Sequence, residues 1–356
     1  MKIGVLPGDD IGLEVVPVCV SVMTAAAART GLNIEWRPLP IGRKAHEEFG
    51  QTLPEVTIEG LADVDGWILG PIGHAAYPKN KPGWTGMPPL RKMFDLFASV
   101  KPVVAYDNIP SVHKNVDIVF LREVTEGMQS NSVVSSGSGE FRPNDEISIG
   151  TRVVTRKGAR RVAREAFEIA RTRQVKRVTA VHKKAVYRLV CGMFAEECQN
   201  VSVDFPDVKF DEIHVDTIAA KLVMAPQHYD VIVTTNQFGD ILTDLGAGLV
   251  GGLGLAPGLC VGEHQAMAQA THGSAPDIGG QNIANPYALI QSGKMLLEWL
   301  GRKHSEPRAT EAANLINKAM AQIISEARVL TQDIGGSAST TEMGEAIIRA
   351  IDQPEN

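Results

Sequence analysis

The chain has 356 residues, 44% of them hydrophobic and 21% charged, which are the proportions of a globular protein and not of a disordered one. Its formal net charge is −6 and no basic block occurs, which argues against nucleic acid as a partner. A chain of this length exceeds one simple core, so two domains are expected.

Strands and helices are predicted to alternate along the chain. In chain order, we expect a strand at 2–8, a helix at 11–28, strands at 64–71, 114–123 and 148–155, a helix at 156–173, a strand at 177–183 with a helix from about 184, a strand at 229–236 with a helix from 239, and a helical tail at 308–351 that breaks at 335–336. Pro17 should lie in the first turn of its helix or kink it. This alternation predicts an α/β fold with a largely parallel sheet and flanking helices.

The cellular context is predicted from cysteines and from apolar segments. Cys19, Cys191, Cys198 and Cys260 show no C-x-x-C spacing, which is typical of reduced thiols in a cytoplasmic protein. The chain opens with a strand pattern, so we expect no signal peptide. We also expect no apolar run of membrane-spanning length and hence no membrane association.

The segment NQFGDILTD (236–244) carries the strongest chemical signal. Asp240 and Asp244 are four residues apart and share one face if the segment is helical. Paired carboxylates repel unless a cation lies between them, and Mg²⁺ and Mn²⁺ prefer such oxygen ligands. Asp216 is a third candidate ligand. Taken alone, a D-x-x-x-D pair is more often solvated helix surface, so its neighbourhood has to decide.

A glycine pattern nearby imitates a dinucleotide fingerprint. Gly246, Gly248 and Gly251 spell G-x-G-x-x-G, but that fingerprint must follow a strand and open a helix. Here it follows a predicted helix, and no acidic residue stands about twenty positions on within a βαβ unit. We therefore do not expect a Rossmann cofactor site.

Six ordered motifs resemble one family over nearly the whole chain. They are KIGVLPGDDIGLEVV, LRKMFDLFASVKP, REVTEGMQSN, VHKKAVYRLVCGMF, NQFGDILTD with GGLGLAPG, and HGSAPDIGGQNIANP. The chain is similar to the β-decarboxylating dehydrogenases, which include the isopropylmalate, isocitrate, homoisocitrate and tartrate/D-malate enzymes. The resemblance implies a two-domain fold with a non-Rossmann cofactor site. One domain would combine 1–98 with 255–356. The central segment 99–254 would dimerise and complete the partner's active site.

The resemblance implies that NAD binds to the loop that begins at His272. The loop residues expected to contact the cofactor are His272, Gly273, Ser274, Ala275, Asp277, Ile278 and Asn285. Small residues let a backbone approach a ligand closely. Asp277 could accept hydrogen bonds from both ribose hydroxyls and would repel a 2′-phosphate, which favours NAD over NADP. Outside such a loop, Asp277 would be an ordinary turn aspartate.

The resemblance also implies the residues that bind substrate and perform the chemistry. Arg91 and Arg122 match two of the three family arginines that bind substrate carboxylates. Lys101 stands in place of the third arginine, and it keeps the positive charge but lacks the planar guanidinium group. Lys183, supplied by the partner, would take the C2 hydroxyl proton while hydride leaves to NAD, and Asp216 would serve both catalysis and the metal. The metal, Mg²⁺ or Mn²⁺, would polarise the new ketone before CO₂ leaves and C3 is protonated.

Several residues depart from the family pattern. Gln129, a predicted substrate contact, stands where the family has its acidic tyrosine, and an amide cannot deliver the final proton. Gln269 and Ala185 replace a glutamate and an asparagine, and Asp10 and Leu13 replace the glycine and proline of the opening motif.

These departures leave three hypotheses. The chain could be an active decarboxylating dehydrogenase whose proton comes from water or from another group such as Tyr187. It could oxidise its substrate and decarboxylate poorly. It could instead be a weakly catalytic regulatory or binding subunit, although retention of the base and the three aspartates argues against that.

The substrate is predicted from the residues before Arg91. The segment GWTGMPP (83–89) offers Trp84 and Met87 and lacks the Ser-x-Asn pair that isocitrate enzymes use. This favours a 3-isopropylmalate-like substrate, with D-malate or tartrate as alternatives. Pro88 and Pro89 would distort the usual helix start.

Overall fold

The computed structural model describes residues 1–73, 77–78, 82–83, 89–128 and 139–353. Twelve strands lie in this part of the chain, and they are β1 (Lys2–Leu6), β2 (Glu35–Pro38), β3 (Gly66–Leu69), β4 (Ala98–Val104), β5 (Asp117–Glu123), β6 (Glu140–Asn144), β7 (Ile147–Gly150), β8 (Arg177–His182), β9 (Lys209–His214), β10 (Val231–Thr234), β11 (Leu259–Val261) and β12 (Ala266–Ala268).

The helices of the same described residues alternate with these strands. They are α1 (Gly12–Thr30), α2 (Gly42–Phe49), α3 (Glu55–Ala62), α4 (Leu90–Met93), α5 (Arg156–Thr172), α6 (Val190–Ser202), α7 (Val215–Met224), α8 (Asn236–Val250), α9 (Tyr287–His304), α10 (Pro307–Glu326) and α11 (Thr340–Asp352).

Ten of the strands form one continuous sheet, in the order β2-β1-β3-β12-β11-β4-β5-β10-β8-β9. The strands β2, β1, β3 and β12 are parallel, and so are β5, β10, β8 and β9. Antiparallel pairs join these two groups through β11 and β4. The prediction of a mostly parallel sheet with flanking helices is therefore confirmed. The direction of the chain reverses in the middle of the sheet, where ligands commonly bind in open α/β sheets.

Helices cover both faces of the sheet and create three layers. The largest core packs one face against α1, α5, α6, α9, α10 and α11. Two smaller cores cover the other face, one beside α3 and one beside α7 and α8. The apolar residues of α5 that follow the 3.6-residue period are buried as predicted, and they are Val162, Ala163, Ala166, Phe167 and Ala170.

The β5 strand shows how the two faces are assigned. Val119 and Leu121 enter the largest core, while Ile118 and Phe120 pack towards α7 and α8. Because side chains alternate along a strand, Arg122 continues the second series and faces α8. The apolar run of β5 thus places the Arg122 side chain near the end of a buried strand, on the face towards α8.

The α1 helix corrects two expectations. It has 19 residues, with a mean hydropathy of 1.4 over its most apolar window, so by length and composition it could cross a membrane. Its buried side chains nevertheless belong to the largest core, beside α9, α10 and α11. Of the two alternatives for Pro17, the first-turn position is wrong, because Pro17 lies in the second turn, and the kink stays a prediction. The missing N–H of Pro17 leaves the carbonyl of Leu13 without the usual intrahelical donor.

Two further element predictions were wrong in their extent. The strand expected at 148–155 ends at Gly150, and it pairs with β6 in a small exposed sheet of its own. The helix expected from about residue 184 begins at Val190. Residues 183–189 form turns instead, in which Val186 is 63% and Leu189 86% exposed. With no apolar face to bury there, a short helix gains little from packing.

The glycine pattern lies where it cannot be a dinucleotide fingerprint. Gly246 and Gly248 are inside α8, and Gly251 follows its last residue, so the pattern does not link a strand to a helix. Gly246 instead packs closely against Phe120 on β5. The expectation of a non-Rossmann arrangement agrees with this geometry. The division into 1–98 with 255–356 and 99–254 stays a prediction, since one sheet runs through both parts.

Candidate active site

A cavity of about 300 Å³ opens in the middle of the sheet, at the ends of β5 and β12 and beside α8. Its wall contains Pro71, Ile72, Arg91, Ser99, Lys101, Arg122, Asp240, Asp244, Cys260, Gln269, Ala270, Thr271, His272 and Gly273. All three predicted substrate cations and two of the three predicted metal ligands therefore lie together. The first two residues of the predicted cofactor loop complete the wall.

Arg122 is the most constrained of the cations. It is only 7% exposed, and its Nε and Nη2 donate to Asn236 Oδ1 at 3.1 and 2.6 Å. Its Nη1 forms an ion pair with Asp240. Asn236 in turn donates from Nδ2 to the carbonyl of Glu126 at 2.7 Å. Burial lowers the pKa of Arg122, while Asp240 opposes that shift. The guanidinium is thus held rigidly at the pocket wall.

Lys101 and Arg91 reach the pocket from β4 and α4. Lys101 Nζ donates to Thr243 Oγ1 at 3.2 Å, and Arg91 Nη2 donates to Gln269 Oε1 at 3.1 Å. Burial, followed by the nearby charges of Arg122 and Arg91, lowers the pKa of Lys101 to about 8, with Asp244 opposing the shift. A cluster of cations in a desolvated pocket suits a multiply charged anion.

Asp240 and Asp244 lie one turn apart on α8, as the sequence predicts. Asp244 is exposed, whereas Asp240 is engaged by Arg122. Asp216 does not join them. It lies in the first turn of α7, outside the pocket, and its side chain is 64% exposed. Within the described ranges, no three acidic, His or Cys side chains of one chain are grouped for a metal.

Lys183 is found with Asp216, away from the pocket. Its Nζ donates to Asp216 Oδ1 at 2.6 Å, and this bond lowers the pKa of the Asp216 carboxyl. Tyr187, which the sequence offers as a substitute acid, is 50% exposed, and its ring lies 5.7 Å from the guanidinium of Arg152. The two predicted catalytic residues, Lys183 and Asp216, therefore lie together, but apart from the pocket that holds Arg91, Lys101 and Arg122.

The predicted cofactor loop has an open, irregular backbone. Ala275 and Asn282 have φ angles of 42° and 57°, and Gly280 has 81°. A Cβ at Gly273 or Gly280 would meet nothing within 4 Å, so the backbone there can approach a ligand closely. Ser274 is buried, and its carbonyl accepts a hydrogen bond from Ile11 N at 3.2 Å, which ties the loop to the start of α1.

Some of the other predicted loop residues have exposed side chains, and others have buried ones. Asp277 is exposed, while Ile278 packs against the core. Asn285 is 8% exposed and donates from Nδ2 to Asp333 Oδ2 at 3.0 Å. His272 Nδ1 lies 3.0 Å from the Gly273 carbonyl, and burial lowers the pKa of the imidazole. Its Nε2 is buried without a hydrogen-bond partner in the described part of the chain.

The opening motif contains an unusual backbone. Asp10, which stands where the resemblance expects glycine, has a φ angle of 50°. A non-glycine residue in this left-handed region costs on the order of 1 kcal/mol. Its carboxylate forms an ion pair with Arg43, whose side chain also approaches Asp9. A Cβ on Gly279 would lie 3.1 Å from Asp10 Cβ, so this turn packs closely against the cofactor loop.

Some of the sequence-based candidates lie outside the described residues. These are Gln129 and the substrate-pocket residues Trp84, Met87 and Pro88. Conversely, the structure adds two positioning residues that the sequence did not assign. Asn236 holds Arg122, and Thr243 holds Lys101. Both occur within NQFGDILTD, so the signal was the motif itself, although only its aspartates were interpreted.

Comparisons with known proteins agree with this architecture. The sequence profile of the isocitrate/isopropylmalate dehydrogenase family matches residues 2–347. The 3-isopropylmalate/3-methylmalate dehydrogenase of Methanocaldococcus jannaschii is 36% identical over 354 residues, covering 98% of each chain. The isocitrate/homoisocitrate dehydrogenase of Thermus thermophilus is 38% identical over 352 residues, also covering 98% of each chain. The crystal structure of isocitrate dehydrogenase from Methylococcus capsulatus matches with a TM-score of 0.86 at 36% identity, covering 99% of each chain.

The fold, the pocket and these relatives define an oxidoreductase of the dehydrogenase class. The chain belongs to the isocitrate/isopropylmalate dehydrogenase family.

Proposed function

We propose that this protein catalyses the NAD-dependent and divalent-metal-dependent oxidation and decarboxylation of a malate-type 2-hydroxy acid. A 3-isopropylmalate-like compound is the favoured substrate. The observation that carries the proposal is the pocket that joins Arg91, Lys101 and Arg122 to the carboxylates of Asp240 and Asp244. Cations for substrate carboxylates and oxygen ligands for a metal meet there in one cavity.

The metal site fits a hard divalent cation. Asp240 and Asp244 supply carboxylate oxygens from one face of α8, which is the ligand type that Mg²⁺ and Mn²⁺ prefer. In our proposal Asp216 of a second subunit adds the third ligand, because its own chain holds it elsewhere. When bound, the metal supplies polarisation of the 2-oxo group during decarboxylation.

The cofactor loop fits NAD. The open backbone at Gly273 and Gly280 leaves space for close approach of a dinucleotide. Asp277 is exposed at the loop surface, and no hydrogen bond of its carboxylate occurs within the described ranges, so it is available to ribose hydroxyls. Its negative charge disfavours a 2′-phosphate, which is the physical basis for preferring NAD.

The separation of the Lys183–Asp216 pair from the pocket supports a homodimer with shared active sites. In the proposed assembly Lys183 of one subunit takes the C2 hydroxyl proton of substrate bound in the pocket of the other. The surface near Lys183 and α8 exposes apolar side chains that a partner could cover, namely Val186, Leu189, Met224 and Ile241. A two-domain division at residues 98 and 254, and a cytoplasmic location, belong to the same proposal.

The test is NADH formation on a panel of 2-hydroxy diacids, with and without Mn²⁺, with CO₂ release scored in parallel. The panel contains 3-isopropylmalate, D-malate, tartrate and isocitrate. We expect metal-dependent NADH with stoichiometric CO₂, fastest with 3-isopropylmalate. Asp244→Asn should abolish the dependence of NADH formation on Mn²⁺, because it removes one of the proposed metal ligands. Asp244 is exposed on α8, so the substitution should not disturb the fold. Asp352→Asn, an exposed aspartate at the end of α11, is the matched control.

The other outcomes are distinct. Formation of NADH without CO₂ would mean that oxidation of the hydroxy acid is uncoupled from decarboxylation. Preference for D-malate or tartrate would keep the reaction and change the substrate. NAD binding without NADH on the whole panel would contradict the proposal and favour a regulatory or binding subunit.

A further inference from the structure

The pocket raises the question of which group supplies the last proton of the reaction. After CO₂ leaves, the electron pair of the broken C–C bond remains as an enolate, and C3 must receive a proton. We propose that Lys101 Nζ is the group that donates this proton. The inference rests on the proposed function and adds a catalytic role to a residue that otherwise only binds a carboxylate.

Elimination within the described pocket wall leads to Lys101. The Cys260 thiol is only 3% exposed and belongs to the apolar core beside α3, so we do not assign the step to it. Guanidinium groups stay protonated at any working pH, so Arg91 and Arg122 cannot release a proton. The two aspartates are acceptors when ionised, and the amide of Gln269 has no useful acidity. Burial favours the neutral form of His272, so it is a poor acid near neutral pH. The hydroxyls of Ser99 and Thr271 are much weaker acids than an ammonium group, so they are poor proton donors as well.

The position of Lys101 suits a donor at the reaction centre. Ser99 of β4 pairs with Arg122 of β5, and Lys101 lies two residues further on, so all three share the face towards α8. The hydrogen bond to Thr243 holds Nζ beside the α8 turn that carries Asp240 and Asp244. Substrate held between the cations and a metal on these aspartates would lie directly against Nζ.

The electrostatic surroundings make this ammonium unusually ready to release a proton. The charged or titratable groups that face it are Arg91 from α4, Arg122 from β5, Asp244 from α8 and Cys260 from β11. Burial and the two arginines together lower the pKa of Lys101 to about 8. A group of that pKa is mostly protonated at neutral pH and still acidic enough for general acid catalysis.

The proton step balances without a further reactant. The enolate electron pair forms the C3–H bond, the Nζ–H bond breaks, and the 2-oxo group is restored as the carbonyl forms. Lys101 is left as a neutral amine and regains its proton from water. An arginine at residue 101 would bind the same carboxylate but could not perform this step. Two departures from the family pattern, Gln129 and Lys101, thus compensate for each other.

The decisive variant is Lys101→Arg, which keeps the positive charge and removes the donor. The reaction is run in D₂O with Mg²⁺ and 3-isopropylmalate. The 2-oxo product is then reduced by a stereospecific 2-hydroxy-acid dehydrogenase, so that the two hydrogens at C3 become distinguishable, and the position of the deuterium at C3 is determined by NMR. We expect the wild type to give one configuration at C3. The variant should keep a similar KM, lose about 10²-fold or more in kcat, and give mixed configuration, because the released enol is protonated in solution.

Rescue and control variants separate chemistry from structure. Adding Gln129→Tyr to Lys101→Arg restores a phenolic acid and should recover a single configuration at C3. Lys318→Arg, exposed on α10, should change neither rate nor configuration. Single configuration and a near-normal kcat in Lys101→Arg would overturn the role of Lys101 while leaving the proposed function intact. Absence of NADH from the wild type would instead reject the proposed function itself.

A second readout needs neither metal nor cofactor. Lysine Nζ groups are titrated by NMR in metal-free protein, and the Lys101 signal is assigned by its loss in Lys101→Arg. We expect this signal to titrate near pH 8, well below the ordinary lysine value of about 10.4. Titration of Lys101 together with the exposed lysines would contradict the proposal, because the group would then be too weak an acid.

Discussion

Lys183 donates a hydrogen bond from Nζ to Asp216 Oδ1 at 2.6 Å. Both residues were predicted to take part in catalysis, yet the predicted substrate-binding cations lie in a separate pocket of the same chain. The pair lies outside the pocket that holds Asp240 and Asp244. Its position is fixed by β8 and β9, which run parallel and end at His182 and His214. Lys183 comes directly after β8 and Asp216 is the second residue after β9, so the two side chains are neighbours. In the proposed homodimer, this pair would reach a substrate bound in the pocket of the other subunit.

This arrangement predicts complementation between two inactive variants. Lys183→Met and Asp244→Asn should each be inactive alone. In a mixed dimer, one site would combine the intact Asp244 of one chain with the intact Lys183 of the other. Random mixing of equal amounts makes half of the dimers mixed, and each mixed dimer has one intact site out of two. We therefore expect about a quarter of the wild-type activity after co-refolding. The measurement is NADH formation at fixed total protein.

The control for complementation is the double variant Lys183→Met/Asp244→Asn, which should restore nothing when mixed with either single variant. If the equal mixture of single variants stays inactive while forming mixed dimers, the sites are not shared. Mass spectrometry of the intact dimers verifies that mixing has occurred.

Asp277 is predicted to determine cofactor preference. Replacing it with lysine would remove the two proposed charge-assisted hydrogen bonds to the ribose and offer a cation to a 2′-phosphate. Loss of even one such bond costs about 1.5–3 kcal/mol, so we expect kcat/KM for NAD to fall by at least roughly 10- to 100-fold. We expect kcat/KM for NADP to rise in the same variant. An unchanged NAD to NADP ratio would mean that Asp277 is an ordinary turn residue.

The glycines of α8 provide a matched pair of stability predictions. A Cβ at Gly246 would lie 2.9 Å from Phe120 Cε2 and 3.1 Å from Val103 Cγ2. Overpacking of this kind costs about 1–3 kcal/mol, so Gly246→Ala should lower the free energy of unfolding. A Cβ at Gly248 would meet nothing within 4 Å, and alanine there should raise it by about 0.5–1 kcal/mol. Urea denaturation measures both.

The same pair tests the rejected dinucleotide fingerprint. Neither Gly246→Ala nor Gly248→Ala should alter the KM for NAD, because both glycines lie inside a helix and not at a strand-to-helix turn. A large rise in that KM for Gly248→Ala, the variant with no packing cost, would reopen the fingerprint interpretation.

Local patterns were sufficient to predict the elements whose side chains pack in a regular period. The apolar spacing of α5 predicted both its type and its buried face, and the apolar run of β5 predicted its type. Residues 183–189 were predicted wrongly, because their helical pattern finds no surface to pack against within one chain. The separation of Asp216 from Asp240 also escaped the sequence, since motif order does not reveal which carboxylates a single chain brings together. Asn236 was missed because its role depends on the buried position of Arg122.

Lys101 also predicts how stability changes with pH. Its pKa is about 8 in the folded protein and near 10.4 when unfolded, so the unfolded state binds more protons between these values. The free energy of unfolding must therefore rise with pH through this window, as the cost of the buried charge is relieved. Lys101→Met should lack that rise, whereas Lys318→Met should keep it. Urea denaturation at several pH values measures the difference, and parallel curves for wild type and Lys101→Met would show that Lys101 is not desolvated.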